Sequence, residues 1–352
     1  MKSEIKNFML KTINGMTYGF FATLIIGTII VQISSVFSGN DSLKVVHDVI
    51  FTVGDTLKKL MGLGIGIGIA LSLELKGIRF VTLAVTGGIA TAFKIIIGNG
   101  LEFIPGLNLD PAITYLVVIG SAIFMKFALS KSTNFDVILV PLATSILAIC
   151  LTVLLSPPTT FVITQIASFI NYSTGLMPIP MSILLSVFMG MMLTGPISSV
   201  AIAVAINLEG MAAGAAVIGC ATQMVGLAIQ SIRENKVGNV LSIFFGTSML
   251  QLKNVIKKPL IWLPTIIASA IVGPIGTILF GIICTKEGAG MGMSGLVGPL
   301  QTLEAMNYSG MSFLGIGLCF IIIPAAVVFL FDLLLRKIGW IKPGDLTIEQ
   351  TF

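Results

Sequence analysis

The sequence predicts an all-α polytopic membrane protein with about ten transmembrane helices, a re-entrant hairpin and an internal repeat. Of its 352 residues, 55% are apolar and 10% charged, with a mean hydropathy of +1.05; soluble domains carry about 25% charged residues. Too little polar surface remains to coat a water-soluble globule. Uncharged runs of the roughly 20 residues needed to cross a bilayer recur at 15–32, 137–208, 210–232, 259–285 and 305–331. A Gly-rich apolar segment, 285–301, interrupts this pattern and supplies the hairpin.

Taken in order, Lys2, Lys6 and Lys11 precede an apolar stretch from Gly15 to Val36. That stretch is too long for a signal-peptide core and lacks an Ala-x-Ala cleavage pattern, which predicts a retained first span. Spans follow near 16–36, 60–75, 80–98, 112–130, 137–155, 182–206, 212–231, 238–252, 260–284 and 312–335. Most of the 20 Lys and Arg then fall on one face with both termini, and the positive-inside rule makes that face cytoplasmic.

Several elements carry further expectations. Lys44–Ile50 is amphipathic and holds His47, the single histidine. In Met61–Ile69 glycine alternates, so Gly62 and Gly66 share one helix face and Gly64 and Gly68 another, a pattern that permits close helix contact. Lys94 is placed near a helix end, where its side chain can snorkel to water. Between Val137 and Leu208 there is no Asp, Glu, Lys, Arg or His; the polar, Pro-rich stretch from Ser156-Pro157-Pro158 to Met177-Pro178-Ile179-Pro180 is expected to connect two spans at the interface. Within Thr194-Gly195-Pro196-Ile197-Ser198-Ser199 the Gly-Pro pair predicts a broken helix, whose freed backbone groups need partners such as Thr194, Ser198 and Ser199 or line a solute path. Asn207 and Gln223 are expected to bond across helices, and Asp332 to pair with Arg336 one turn on. Cys150, Cys220, Cys284 and Cys319 sit in apolar segments without C-x-x-C spacing or a nearby His, which suits small hydrophobes rather than a disulfide or metal site.

Short stretches repeat in order. Ile69–Gly77 aligns with Ile202–Gly210, Gly88-Ile89-Ala90-Thr91 with Gly219-Cys220-Ala221-Thr222, and Asp136–Pro141 with Pro259–Pro264. These matches suggest repeat halves of about 43–155 and 165–284, each with an even number of spans and so facing the same way. Transporters are often built from such copies, with the solute near the midplane where they meet.

The segment Thr285–Gln301 is too apolar for an exposed loop and too Gly-rich for a stable helix. A hairpin over 285–310, entering bilayer depth while shielded by protein, satisfies both constraints. The candidate substrate-binding residues are therefore Glu287, Gly290, Gly292, Ser294 and Gln301 here, with Thr194, Gly195 and Ser198 at the broken helix. Backbone amides of the turn can meet ligand oxygens, and Glu287 or Gln301 can hydrogen-bond hydroxyls. The flanking strand and G-K-[ST] ending of a nucleotide-binding loop are missing. No catalytic cluster, metal, cofactor or nucleic-acid partner is expected.

The Gly-x-Gly-x-Ser-Gly-Leu-Val-Gly-Pro run at 290–299, Leu193–Ser199 and Asn254–Pro264 resemble the membrane (IIC) subunits of the bacterial phosphotransferase system, in the branch with PfoR-like regulatory membrane proteins. The likeness spans about residues 15–340. It implies a single IIC-type domain over 1–352 with a short cytoplasmic tail at 338–352, in the bacterial inner membrane and as a homodimer. It also implies a sugar or polyol held in an occluded pocket, moved by alternating access and phosphorylated by IIB. A hairpin glutamate holds the sugar in such proteins, and Glu287 stands in the matching context. Some branches also use a pocket histidine, from which this sequence departs. No stretch outside the expected spans is long enough for a IIB fold, so phosphorylation would need separate IIA and IIB chains. A permease-like sensor or regulator, and a transporter of another small solute such as a carboxylate, remain open at this point.

Overall fold

The computed structural model describes residues 2–35, 37, 43–97, 101–129 and 135–348. The last residues of the expected spans 16–36, 80–98 and 112–130, and of the tail, lie outside that set. The chain forms two compact units, Met1–Thr164 and Gln165–Phe352.

In the first unit, α1 (Lys2–Phe20) passes through a π-turn at Phe21–Ile25 into α2 (Ile26–Ser35). The amphipathic α3 (Lys44–Lys59) packs on α2, and the His47 ring meets the Ser34 carbonyl at 2.8 Å. α4 (Met61–Ser72) uses its two glycine faces on two neighbours. A Cβ on Gly68 would lie 2.0 Å from the Gly15 carbonyl oxygen of α1, and one on Gly62 would lie 2.2 Å from the Gly87 oxygen of α5 (Gly77–Thr91). Backbones approach this closely only where side chains are absent.

α5 stops at Thr91, short of the expected span. The β-branched run Phe93–Ile97 forms β1, which pairs antiparallel with β2 (Leu101–Pro105). Such residues fit a pleated ribbon better than a helix end. Lys94 consequently sits in β1 opposite Ile104 rather than on a helix. Asp110 then caps α6 (Pro111–Phe127), accepting from the Ala112 amide at 2.8 Å.

The Pro-rich stretch after residue 155 is also not a connection. α7 runs unbroken over Asp136–Thr174 with Pro157 and Pro158 inside it, and the division between the units falls within this helix. Pro157 and Pro158 remove the amide donors of the Val153 and Leu154 carbonyls, and the helix continues past them, with Thr159 Oγ1 donating to the next carbonyl, Leu155, at 2.6 Å. α7 packs Ala148 and Leu151 against Ala90, Ile113 and Val117 of α5 and α6.

In the second unit, α8 (Pro178–Thr194) and α9 (Ser199–Ala205) are the two parts of the expected broken helix. α10 (Gly210–Ser231) is the buried centre, contacted by α8, by α11 (Val237–Phe245) and by α13 (Leu263–Pro274). α12 (Leu252–Lys257) follows α11 after a turn. The hairpin contains α14 (Lys286–Ala289) and α15 (Val297–Ala305), and the chain ends with α16 (Gly310–Ile316) and α17 (Ile323–Ile338), joined by a π-turn.

Hydrogen bonds fix which termini share an end of this unit. Arg336 Nη1 meets Glu234 Oε1 at 2.7 Å, Asn235 Nδ2 donates to the Leu346 carbonyl, Asn254 Nδ2 to the Thr347 carbonyl, and Lys258 pairs with Asp345. The C-terminus of α10, both outer ends of the α11–α12 segment and the tail therefore lie together. At the opposite end, Gly210 and Cys284 exchange backbone hydrogen bonds, and Lys286 Nζ donates to Asn207 Oδ1 at 2.8 Å. Two consequences correct the sequence-based topology. Residues 238–252 do not cross: α11 is nine residues, about 14 Å of helix, and the chain turns at Gly246-Thr247-Ser248 and comes back. The even span count that made the repeat halves face the same way fails with it.

The aligned segments 69–77 and 202–210 adopt one corner. Leu73, Glu74 and Leu75 amides donate to Ile69, Leu71 and Ala70 carbonyls, and Ile206, Asn207 and Leu208 amides donate to Ile202, Val204 and Ala203. Glu74 and Asn207 are both left-handed (φ 59° and 50°), as are Gly77 and Gly210. This is the Schellman ending. It recurs at Thr302–Tyr308 and at Leu335–Trp340, where Gly339 has φ 83°, so the corner is a local device used four times among the described residues.

Candidate functional site

Three interruptions of helical structure meet beside α10. The first is the break after α8: Gly195 is extended (φ −79°, ψ 172°), and Ser198 caps α9, its Oγ accepting from the Ala201 amide at 3.2 Å. The second is the turn between α11 and α12, where Thr247 Oγ1 accepts from the Met249 amide. The third is the turn at 290–296 between α14 and α15.

Three buried hydrogen bonds lock them. Thr194 Oγ1 and Ser248 Oγ lie 2.8 Å apart, Ser199 Oγ donates to the Gly290 carbonyl at 2.7 Å, and Ser294 Oγ donates to the Gly246 carbonyl at 2.7 Å. The tips of two hairpins that start from opposite ends of the unit thus touch at the broken helix. Ser199 and Ser294 each donate to a carbonyl of a different interruption, because a carbonyl freed from a helix in an apolar setting must find a donor.

Gly292 has φ 53°, and a Cβ there would lie 2.6 Å from the Cys220 carbonyl carbon of α10; a Cβ on Gly290 would lie 2.5 Å from the Val200 amide nitrogen. Glycine at 290 and 292 lets the turn lie directly on α9 and α10, and at 292 it also permits the left-handed backbone.

The polar residues of the hairpin gather nearer its outer end. Thr285 Oγ1 donates to Gln301 Oε1 at 2.5 Å, joining the two arms, and Gln301 Nε2 donates to Glu304 Oε2 at 3.1 Å. Lys286 reaches Asn207 and lies 3.8 Å from Glu209 Oε1. Glu287 is exposed, and its carboxylate has no hydrogen bond or ion pair among the described residues. The sequence-derived candidates therefore fall into two groups. Thr194, Gly195, Ser198, Gly290, Gly292 and Ser294 belong to the interlock, whereas Glu287 and Gln301 belong to the polar rim.

Sequence reasoning missed the middle partner. Thr247 and Ser248 were read as the interior of a span, although Gly-Thr-Ser is a turn signal. Beneath the site, Gln223 Oε1 on α10 accepts from Trp262 Nε1 at 2.9 Å and Thr265 Oγ1 at 2.8 Å. This is the cross-helix bonding expected of Gln223. Its Nε2 and the neighbouring Thr222 Oγ1 are buried without a hydrogen-bond partner. The four cysteines are unpaired; Cys150 is exposed and the other three are buried.

A family profile described as "Phosphotransferase system, EIIC" matches residues 10–348. No curated protein matches the chain.

Proposed function

The chain belongs to the phosphotransferase-system EIIC family and is a membrane transport subunit of that system; from that premise we propose that it binds a sugar or polyol where the three interruptions meet and moves it by alternating access. The observation that carries this reading is the hydroxyl-and-carbonyl interlock of Thr194, Ser248, Ser199, Gly290, Ser294 and Gly246. A site of alternating donors and acceptors at the midpoint of two opposed hairpins matches a polyhydroxylated solute, since each protein–protein hydrogen bond has a solute hydroxyl as its replacement. The unpartnered Gln223 amide and Thr222 hydroxyl add donors with no competing protein partner, and unsatisfied buried groups gain most from a ligand that satisfies them.

In the conformation described here the interlock groups are spent on one another, so this is the closed arrangement of the site. Separation of the 286–305 hairpin from α9 opens it towards the rim, where Glu287 accepts from solute hydroxyls and Gln301 helps orient them. Separation of the α11–α12 hairpin opens it the other way. Arg233, Lys236, Lys253, Lys257, Lys258 and Arg336 gather at the tail end, whereas Lys286 stands among Glu209, Glu287 and Glu304 at the rim. On the positive-inside rule, our reading has the tail and the α11–α12 hairpin on the cytoplasmic side. Phosphoryl transfer there would come from separate IIA and IIB chains. The ordered sequence matches remain the ground for expecting an internal repeat, and a homodimer remains the assembly we expect.

Binding by the purified full-length protein, measured as thermal stabilisation across sugars, polyols and organic acids and repeated with Glu287→Gln, tests this. A charged hydrogen bond contributes about 1.5–3 kcal/mol, so the substitution should weaken sugar binding by about 10- to 150-fold. If no sugar stabilises the protein, or if E287Q binds as the parent does, the assignment fails.

A further inference from the structure

At the tail end of the second unit, away from the interlock, a groove of about 310 Å³ runs between the last turn of α10 and α17. It is lined by Ile229, Ile232, Arg233, Ala326, Phe329 and Asp332. Its walls are apolar, and Ile232 and Phe329 are exposed on the surface, a face that in a membrane protein suits acyl chains.

Two charged groups are set into it. The Arg233 guanidinium lies over the Phe329 ring, 5.8 Å from its centroid, and makes no ion pair among the described residues. Asp332 is only 4% exposed. One of its oxygens, Oδ2, accepts from Arg336 Nε at 2.8 Å. The other, Oδ1, is buried without a hydrogen-bond partner. Arg336 directs Nη1 to Glu234 Oε1 and Nη2 to the Gln230 carbonyl, so its remaining donors do not reach Oδ1. A buried carboxylate oxygen without a donor is costly; the nearby Arg233 charge acts on it through space but donates no hydrogen bond to it.

We propose that this groove is a phospholipid site and that its occupant carries a primary ammonium group. The phosphate would bind Arg233, whose planar guanidinium suits paired phosphate oxygens. The ammonium would donate to Asp332 Oδ1, and an acyl chain would lie along Ile229, Ile232, Ala326 and Phe329. The pairing is one of charge complementarity: a zwitterionic headgroup presents an anion to the Arg233 cation and a hydrogen-bond donor to the Asp332 oxygen that lacks one. A choline headgroup has the same charges but no N–H, and a glycerol headgroup has a phosphate and hydroxyls but no ammonium.

The test uses the purified full-length protein in mild detergent, with phosphatidylethanolamine, phosphatidylcholine or phosphatidylglycerol of identical acyl chains added, and thermal stability as the readout. Phosphatidylethanolamine should raise the midpoint at least twofold more than either of the others. Arg233→Gln should reduce the shift with all three lipids, and Asp332→Asn should remove the ethanolamine advantage. Should D332N fail to fold, Ala326→Phe, which fills the groove from an exposed position, should abolish the stabilisation while leaving the lipid-free midpoint within a few degrees. Equal shifts with ethanolamine and choline lipids overturn the proposal. So does a larger shift with the glycerol lipid, which would mean attraction of net negative charge alone, or an undiminished ethanolamine response in A326F.

Discussion

Gly68 and Gly88 are two glycines of membrane helices with opposite roles. A Cβ on Gly68 would lie 2.0 Å from a backbone oxygen of α1, while nothing lies within 4 Å of a Cβ on Gly88. Overpacking a tight contact costs about 1–3 kcal/mol, whereas glycine in an open helix position is worse than alanine by up to about 1 kcal/mol. Gly68→Ala should therefore lower the thermal midpoint, and Gly88→Ala should leave it unchanged or raise it slightly. Equal losses for both would mean that the α1–α4 contact is not close in the folded protein. The alternation of glycine in 61–69 showed that two faces exist; that both are used, on different partners, needed the positions of α1 and α5.

At the level of elements, the second unit is built from interruptions as much as from helices. Helix α8 stops where Gly195-Pro196 removes a donor and favours an extended backbone, and this was readable from the residues. The turn at 246–248 was not: its flanks are as apolar as a span, and average hydropathy cannot distinguish one crossing from two short helices that double back. Only the pairing of Glu234 with Arg336 and of Lys258 with Asp345, which brings both ends of the 237–257 segment to one side, separates these cases. If the interlock is cooperative, Thr194→Val and Ser248→Ala should be non-additive. A double-mutant cycle on thermal unfolding should give a coupling of about 1 kcal/mol; zero coupling would mean that the 2.8 Å contact holds nothing.

For the molecule as a whole, the polar lattice around the C-terminal tail links its integrity to pH. Burial pushes the Asp345 carboxyl up, but the Lys258 hydrogen bond and the Lys342 amide outweigh it, so the group is held below the usual carboxylate range. A carboxylate with a lowered folded-state pKa contributes stability above its unfolded value, about 3.9, and that contribution is lost as pH falls through the folded value. Hydrogen-exchange protection at Leu346 and Ile348, whose amides donate to Glu234 and Asn235, taken relative to the intrinsic rate at each pH, should therefore be high near neutrality and fall below about pH 4. Asp345→Asn should show faster exchange already at pH 7; exchange rates identical to the parent at both pH values would refute the link.

The sequence by itself determined the membrane class, the family likeness, the helix break at 195–196, the glycine faces of α4, the Asp332–Arg336 pair and the Gly-rich hairpin. All of these depend on composition or on contacts within a turn or two, where spacing along the chain fixes spacing in space. Tertiary structure alone decided that Pro157 and Pro158 lie inside a continuous helix, that 93–105 is a strand pair, and that 237–257 returns to the end it started from. It also decided that Ser199 binds the Gly290 carbonyl, Ser248 the Thr194 hydroxyl and Ser294 the Gly246 carbonyl, across gaps of 48 to 91 residues. In an apolar medium every freed polar group must be met, and which distant group meets it depends on how helices pack, a property that no local window of sequence contains.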